Sequence, residues 1–474
     1  MGILRPKIQV LDEEHKNQIF AEATEILETQ GIFLENNNAI QLFKEQGFSH
    51  TKTRWMIPSD IVKTSLKSTP KSIKLYDREG KNPLLLTGDN VHFDPGSAAV
   101  TILDESTGQI REPKSSDFIR FTQIVEHLRY IDAQSTSFIY GDVPMMAQDW
   151  HRLFICLSYC NKPIITGTFH KNNFKIMREL LLACRKSEKD LAEKPLAIFD
   201  ACPSPPLRWS DLTTQSLLDA AESMIPSEFI SMPLSGASAP ITLIGSITQH
   251  CAETLAGIVI TQLARKGAPV IWGGSPAILD MKHGTTPMGA IETMLINLGD
   301  VEMGKFFNLP VQAYMSLGDG KIPDAQAGFE AGIGAVLAAL GGINMVSGPG
   351  MLNFESTQSI EKLIIDNEIA GMAKHLIRGI NDYDPPFASE ILKDYNDKEE
   401  LLSHPTTLKL FKKELFITEI VDRSSKEMWV KKGSKSIRGR AKEKARKLLE
   451  RLPEHPIDES LQKNLQRITR DNLN

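Results

Sequence analysis

Cysteine is scarce: the chain of 474 residues has five, Cys156, Cys160, Cys184, Cys202 and Cys251, and no CxxC pair. That argues against a disulfide framework and against a structural zinc site. An excess of cations is also missing, with Lys+Arg 54 against Asp+Glu 59 and a formal charge of -5. A nucleic-acid binder held by phosphate contacts is therefore not expected. The one basic stretch, KKGSKSIRGRAKEKARKLLERLPEHP, is interrupted by Glu443, Glu450 and Glu454 and reads as a solvated helix. No run approaches the ~20 consecutive apolar residues that span a bilayer, and the opening MGILRPKIQVLDEEHKNQ has no secretory apolar core. A cytoplasmic protein with no membrane partner is the expectation.

Motifs of familiar chemistry are missing too. There is no P-loop, no GxSxG elbow, no HExxH and no GxGxxG after a strand. The nearest His–acid cluster, Asp280-Met281-Lys282-His283-Gly284, reads as a loop histidine rather than a metal ligand. No metal site is expected, and the sequence singles out no catalytic residue.

What is present is a regular alternation. The first 90 residues begin with a helix over DEEHKNQIFAEATEILETQG, stopped by Gly31, and a shorter one over NNAIQLFKEQG; strands and turns follow, with Asp94-Pro95-Gly96 as turn punctuation. Candidate strands then start at Ile131, Lys162, Pro195, Phe229, Ala268, Pro310 and Ile343, spaced by 31, 33, 34, 39, 42 and 33 residues. This spacing suits βα units joined by crossover helices. Pro287 is expected to open one helix, Asp324 to cap AQAGFEAGIGAVLAALGG, and Ser356 or Thr357 to cap SIEKLIIDNEIAGMAKHLIRG. The fold expected is α/β, a (β/α)8 TIM-type barrel over residues 91–400 with helical extensions at 1–90 and 401–474. Its eighth strand is either a segment near Tyr395 or one that precedes Ile131. The apolar helix AVLAALGG can pack on the barrel or on another subunit, which leaves a homo-oligomer open.

In such a barrel the site lies where strands run out into βα loops. Those ends carry Phe138, Tyr140, Trp272, Tyr314, Phe354 and Glu355, and although aromatics are only 7% of the chain, nearly every strand end has one. Ring faces could cage a quaternary ammonium group, which has no hydrogen to donate. The plainer alternative is that these rings pack the barrel against its helices. For a substrate carboxylate, the candidate donors are His170, Arg208 and the backbone around Gly348; Arg208 could equally be a surface ion-pair residue.

The segments SGASAPITLIGSITQHCAETLAGIVITQLARKGAPVIWGG, LDMKHGTTPMGAIE, PDAQAGFEAGIGAVLAALGGINMVSGPGMLNFE and IIDNEIAGMAKHLIRGI resemble the trimethylamine methyltransferase (MttB-like) family. EILETQGIFLENNNAIQLFKEQG and HPTTLKLFKKELFITEIVDR also look like that family, so the resemblance covers nearly the whole chain. It implies a barrel enzyme that moves a methyl group from a methylated amine to the cobalt of a corrinoid (cobalamin) on a separate protein. All residues are of the standard twenty types, which resembles the non-pyrrolysine branch acting on quaternary amines. A quaternary ammonium already carries its positive charge and leaves as a neutral amine, so no general acid is required; Co(I) is itself a powerful nucleophile. No DxHxxG corrinoid motif occurs, DEEH at Asp12 and DMKH at Asp280 being wrongly spaced, so the corrinoid is expected on a cognate partner protein and no tightly bound cofactor on this chain. Glycine betaine, giving dimethylglycine, is the leading donor. Proline betaine, carnitine or a tertiary amine are alternatives, as is a protein that binds a quaternary amine without turnover.

Overall fold

In the computed structural model, which describes residues 4–393 and 401–473, eight short parallel strands are linked in a ring. They are β1 (His92–Asp94), β2 (Gln134–Ser135), β3 (Ile164–Thr166), β4 (Ala197–Ala201), β5 (Ser227–Phe229), β6 (Val270–Ile271), β7 (Gln312–Tyr314) and β8 (Met345–Ser347). Strands β2 to β6 form one continuous parallel ladder. Another joins β7 to β8 and β8 to β1. Two seams close the ring. Between β6 and β7, Trp272 donates its N–H to Pro310 at 2.9 Å and accepts from Gln312 at 2.8 Å. Between β1 and β2, the Phe93 carbonyl accepts from Asp132 at 2.7 Å and Ala133 at 3.3 Å.

The eighth strand is thus β1, ahead of Ile131; Tyr395 lies outside the described residues. Its shortness explains why it was hard to see: one apolar residue, Phe93, between His92 and Asp94 gives almost no period-2 signal.

Each strand is followed by a crossover helix: α1 (Ser115–Glu126), α2 (Gln148–Tyr159), α3 (Asn173–Ala183), α4 (Asp211–Glu222), α5 (Leu243–Ala264), α6 (Ile291–Phe306), α7 (Ala325–Gly341) and α8 (Ile360–Ile377). Asp324 caps α7 as expected, accepting from Ala327 N–H. Two expected helix starts are corrected. The cap of α8 is Ser359, since Thr357–Gln358 is a strand paired with Thr101–Leu103. Helix α6 starts at Ile291 rather than at Pro287, whose carbonyl accepts from the Thr293 hydroxyl at 2.8 Å.

Helix α5 is long and apolar enough to cross a membrane by length and composition, and 78% of its most apolar window is buried inside the fold. Its close seat on the barrel requires Gly257, where an added Cβ would lie 2.5 Å from the Phe229 ring and 2.6 Å from the Trp209 ring. The N-terminal helix Glu13–Thr29 and helix Ser59–Ser68 both pack on α5. At the other end, Ile437–Leu449 lies on α8 and buries Ala441, Ala445 and Leu448, so this basic helix is solvated on one face only.

The barrel floor is sealed by an antiparallel hairpin, Ile73–Leu75 with Leu84–Leu86. Its Ile73, Leu75 and Leu86 pack against Ala133, Ile165, Ile198, Ile271 and Met345, one residue from each of five strand regions. The interior is therefore closed below, and polar side chains lie toward the opposite mouth. Gly257→Ala should cost about 1–3 kcal/mol through overpacking, read as a lower denaturant midpoint at unchanged m value.

Candidate functional site

Parallel strands deliver their C-terminal ends to one mouth. Asp94 ends β1, Asp200 lies near the end of β4, Glu228 lies in β5, and Glu355 follows β8. Asp200 and Glu228 are register partners on adjacent strands, so both side chains project from the same face of the sheet. Their neighbours Phe199 and Phe229 face outward, Phe199 against Phe174 of α3 and Phe229 against Trp209. The two carboxyls therefore face the barrel interior. Asp94 is inward as well, accepting from the Ser347 hydroxyl at 2.8 Å, and Ser347 in turn accepts from Gln312 Nε2 at 3.3 Å. Tyr314, in register with Ser347, completes the layer.

The electrostatics are one-sided. Burial drives the Asp94 carboxyl well above the usual range, and Asp200 and Asp132 add to it against the Ser347 hydrogen bond. Asp200 is pushed up to about 7 by burial. Glu228 is pushed well above its ordinary value by burial and then by Asp200. Burial and mutual repulsion thus favour the protonated form of this adjacent pair. Glu355 is raised to about 7 by burial, although the Ser275 hydroxyl donates to it at 3.0 Å. The Tyr314 phenol is also raised, first by burial and then by Asp200, Glu355, Asp94 and Glu228. Tyr314 thus lies within electrostatic reach of all four carboxyls. Asp94 Oδ2, Asp200 Oδ1 and Glu228 Oε2 are buried acceptors with no hydrogen-bond partner.

The buried cation nearby is already matched. Arg152 pairs with Asp149 at 3.2 Å and donates to the Thr136 and Gln148 carbonyls. Above the acid layer, Tyr314 belongs to an apolar cluster with Ile230, Met288, Leu317 and Met351. The mouth is therefore an apolar collar over unpartnered carboxyl oxygens, a setting that attracts a compact organic cation.

Of the residues singled out from sequence, Tyr314 and Glu355 lie in this mouth. Phe354 is at its outer edge, where the Lys321 ammonium lies 3.8 Å from its ring centroid. Gly348 begins the β8 loop, and an added Cβ there would meet the Met315 carbonyl oxygen at 2.3 Å. His170 lies in the β3 loop, its N–H bonded to Asp149 at 3.1 Å.

Four others are placed elsewhere. Phe138 packs edge-on against Phe118 and Phe121 of α1. The Tyr140 hydroxyl is tied to His151 at 2.7 Å. Trp272 donates to the Asp300 carbonyl at 2.8 Å and packs at a tilt against Phe307. These three rings fill the layer between barrel and helices. Arg208 is on the surface, paired with Glu35 at 2.8 Å and stacked over Phe33.

The acids Asp94, Asp200 and Glu228 were not anticipated. They are spread over 135 residues with no local motif. The usable signal was a lone carboxylate within an apolar strand, as in LAIFDAC. His283 bonds Asp280 within its own turn at 2.9 Å, and no cluster of three metal-ligating side chains occurs among the described residues.

Comparison with known proteins decides the lineage. The trimethylamine methyltransferase (MTTB) family model matches residues 3–472. The chain belongs to this family. It is 31% identical to "Trimethylamine methyltransferase MttB" of Desulfitobacterium hafniense over 461 residues, 97% of this chain and 93% of the relative. It is 27% identical to "Glycine betaine methyltransferase" from strain Y51 of that organism, covering 91% of this chain and 90% of the relative. Among solved structures, the Methanosarcina barkeri monomethylamine methyltransferase MtmB aligns with TM-score 0.52 at 10% identity, over 78% of this chain and 77% of that one. That likeness is one of fold, and it agrees with the closed eight-strand ring.

For this MTTB-family chain the acid layer has a thermodynamic consequence. Asp200 and Glu355 titrate near 7 in the folded state and near their ordinary value of about 4 when unfolded. Between those values the folded state binds more protons, so stability falls as pH rises through the window and the loss is complete above it. Calorimetry between about pH 4.5 and 8 should show the melting temperature falling less steeply in Asp200→Asn than in the natural sequence.

Proposed function

We propose that this chain transfers a methyl group from a quaternary ammonium donor, glycine betaine foremost, to the Co(I) of a corrinoid carried by a separate protein. The observation that supports the reading is the set of four carboxyls around Tyr314, with three buried oxygens lacking partners. A quaternary ammonium cannot donate a hydrogen bond, so it is held by charge and by apolar contact. The ionised members of the acid layer supply the charge; Ile230, Met288, Leu317 and Met351 supply the apolar walls.

The chain's own residues then bind, orient and exclude water. Tyr314 and the collar hold the methyl-bearing nitrogen, and the sealed floor leaves the mouth as the route in. When the methyl leaves, the donor becomes a neutral amine and loses its attraction to the carboxylates, which favours release. The corrinoid supplies the nucleophile. Residues of the mouth fit the approach of a broad, flat macrocycle: Met145, Phe169, Met232, Met281 and Ile322, each on a different βα loop, are exposed at 70%, 46%, 43%, 67% and 44%. These residues would position the corrinoid protein over the mouth, and the corrinoid would supply the nucleophile for the bound methyl.

A tertiary amine is the second reading, favoured by the 31% identity to a trimethylamine methyltransferase. Protonated, it presents the same charge to the same carboxyls. The test is spectroscopic. Enzyme, Co(I) cobalamin and each donor are mixed, and the absorbance change of cobalamin methylation is followed. Glycine betaine should support turnover above the protein-free rate. Asp200→Asn should weaken donor use by about tenfold or more at pH 8, because removing one member of a buried charge contact costs at least ~1.4 kcal/mol. Turnover with trimethylamine alone would select the second reading. Binding of betaine without turnover, repeated with a cognate corrinoid protein, would identify a binding protein.

A further inference from the structure

A cation, Lys321, lies at the edge of the mouth. Lys321 follows β7, and its Nζ donates to the Asp319 carbonyl at 2.8 Å while lying 3.8 Å from the Phe354 ring centroid. Both partners are neutral, and among the described ion pairs none includes Lys321. Its setting is nevertheless acidic. The Asp319 side chain, which accepts from Met288 and Gly289 N–H groups, feels Lys321; Glu355 feels Asp319; and Tyr314 feels Glu355. Lys321 therefore stands at the outer end of a line that leads inward to the buried carboxyls.

The loops that carry this line are fixed to each other. Gly318 N–H donates to the Met351 carbonyl at 3.2 Å, and Asn353 N–H to the Gly320 carbonyl at 3.0 Å. Asn353, Phe354 and Glu355 have φ of 52°, 56° and 64°, three successive non-glycine residues in the left-handed region. Single residues there are uncommon, and such a backbone persists only where the surroundings impose it. The result turns Phe354 under Lys321 and Glu355 onto Ser275. One strained tripeptide thus fixes both the ring beneath the Lys321 ammonium and the Glu355 carboxyl.

We propose that Lys321 receives the carboxylate of a zwitterionic donor whose methylated ammonium lies against the carboxyls around Tyr314, and so sets a preference for betaines over methylated amines that lack a carboxylate. This rests on the quaternary-ammonium reading above. An ammonium has three donors, and with one on the Asp319 carbonyl, others are available to a substrate carboxylate; a charge-assisted hydrogen bond of that kind is among the stronger ones. The acid layer alone would repel the carboxylate end of a betaine, so a cation at the rim orients the zwitterion with its nitrogen inward.

The test compares glycine betaine with tetramethylammonium, by titration calorimetry on the full chain, in the natural sequence, Lys321→Met and Lys321→Arg. The expected result is tighter binding of glycine betaine by the natural sequence, a loss of about tenfold for betaine in Lys321→Met, tetramethylammonium unchanged, and most of the betaine affinity kept in Lys321→Arg. Lys321 is exposed, so Lys321→Met should fold, which its melting temperature checks. Equal weakening of both ligands, no change in either, or a natural preference for tetramethylammonium would overturn the assignment while leaving the ammonium site standing. Failure of both ligands to bind the natural sequence would overturn the quaternary-ammonium reading, and this assignment with it.

Discussion

Closure of eight parallel strands is the constraint on which the rest depends. A parallel ring has one polarity, so every strand end and every βα loop is delivered to one mouth. Residues as far apart as Asp94 and Glu355 become neighbours of one phenol, Tyr314. Nothing local would hold four carboxyls together, because each repels the others and each loses its water. Transferring ions from water into a protein interior costs several kcal/mol apiece. The molecule lowers that cost by leaving part of the layer protonated, which is why Asp94 and Glu228 are driven far above their ordinary range while Asp200 and Glu355 stop near 7.

That partial charge suits the chemistry proposed. A donor whose positive charge disappears as its methyl leaves is destabilised in the transition state by whatever held the charge in the ground state. A fully ionised ring of four carboxylates would bind the donor tightly and slow its reaction. A partly protonated ring binds more weakly and gives back less. The apolar collar around Tyr314 acts on methyl groups, which survive into the transition state, and carries no such penalty.

The alternation of the barrel was plain in the sequence because most strands lie in short apolar runs spaced by a helix and two loops, as in KPIITGTF and PLAIFDAC. The site was legible only in part, and the reason is parity. Side chains of a strand alternate between interior and helix layer, so an aromatic residue one position off the inward register becomes packing. Tyr314 is on the inward parity and Trp272 is not; Trp272 instead gives its indole N–H to the Asp300 carbonyl. Phe138 fell to the same rule. Asp94 was hidden differently, since Asp-Pro-Gly is also how a turn is written, and here Pro95 and Gly96 do start the loop while Asp94 closes a strand. Arg208 owed its candidacy to a strand end, but the N-terminal segment Phe33–Leu34 pairs beside it and Glu35 takes its charge.

The β8 loop shows what rigidity adds to this arrangement. A flexible loop could place Lys321 and Glu355 anywhere along the rim, and two opposite charges free to move would find each other. They are kept apart because Phe354 stands beneath the ammonium and Ser275 holds the carboxyl. Three left-handed residues in a row are an unfavourable backbone for any side chain larger than glycine, so this separation is maintained by the packing around it and not by local preference. The Gly318 and Asn353 hydrogen bonds tie the start of the strained loop to its neighbour, and the Ser275 bond holds Glu355 at its end. A mouth built in this way has a fixed dipole before any ligand arrives. A zwitterion of matching length would enter it in one orientation, ammonium toward the carboxyls around Tyr314 and carboxylate toward Lys321, at no further ordering cost to the protein.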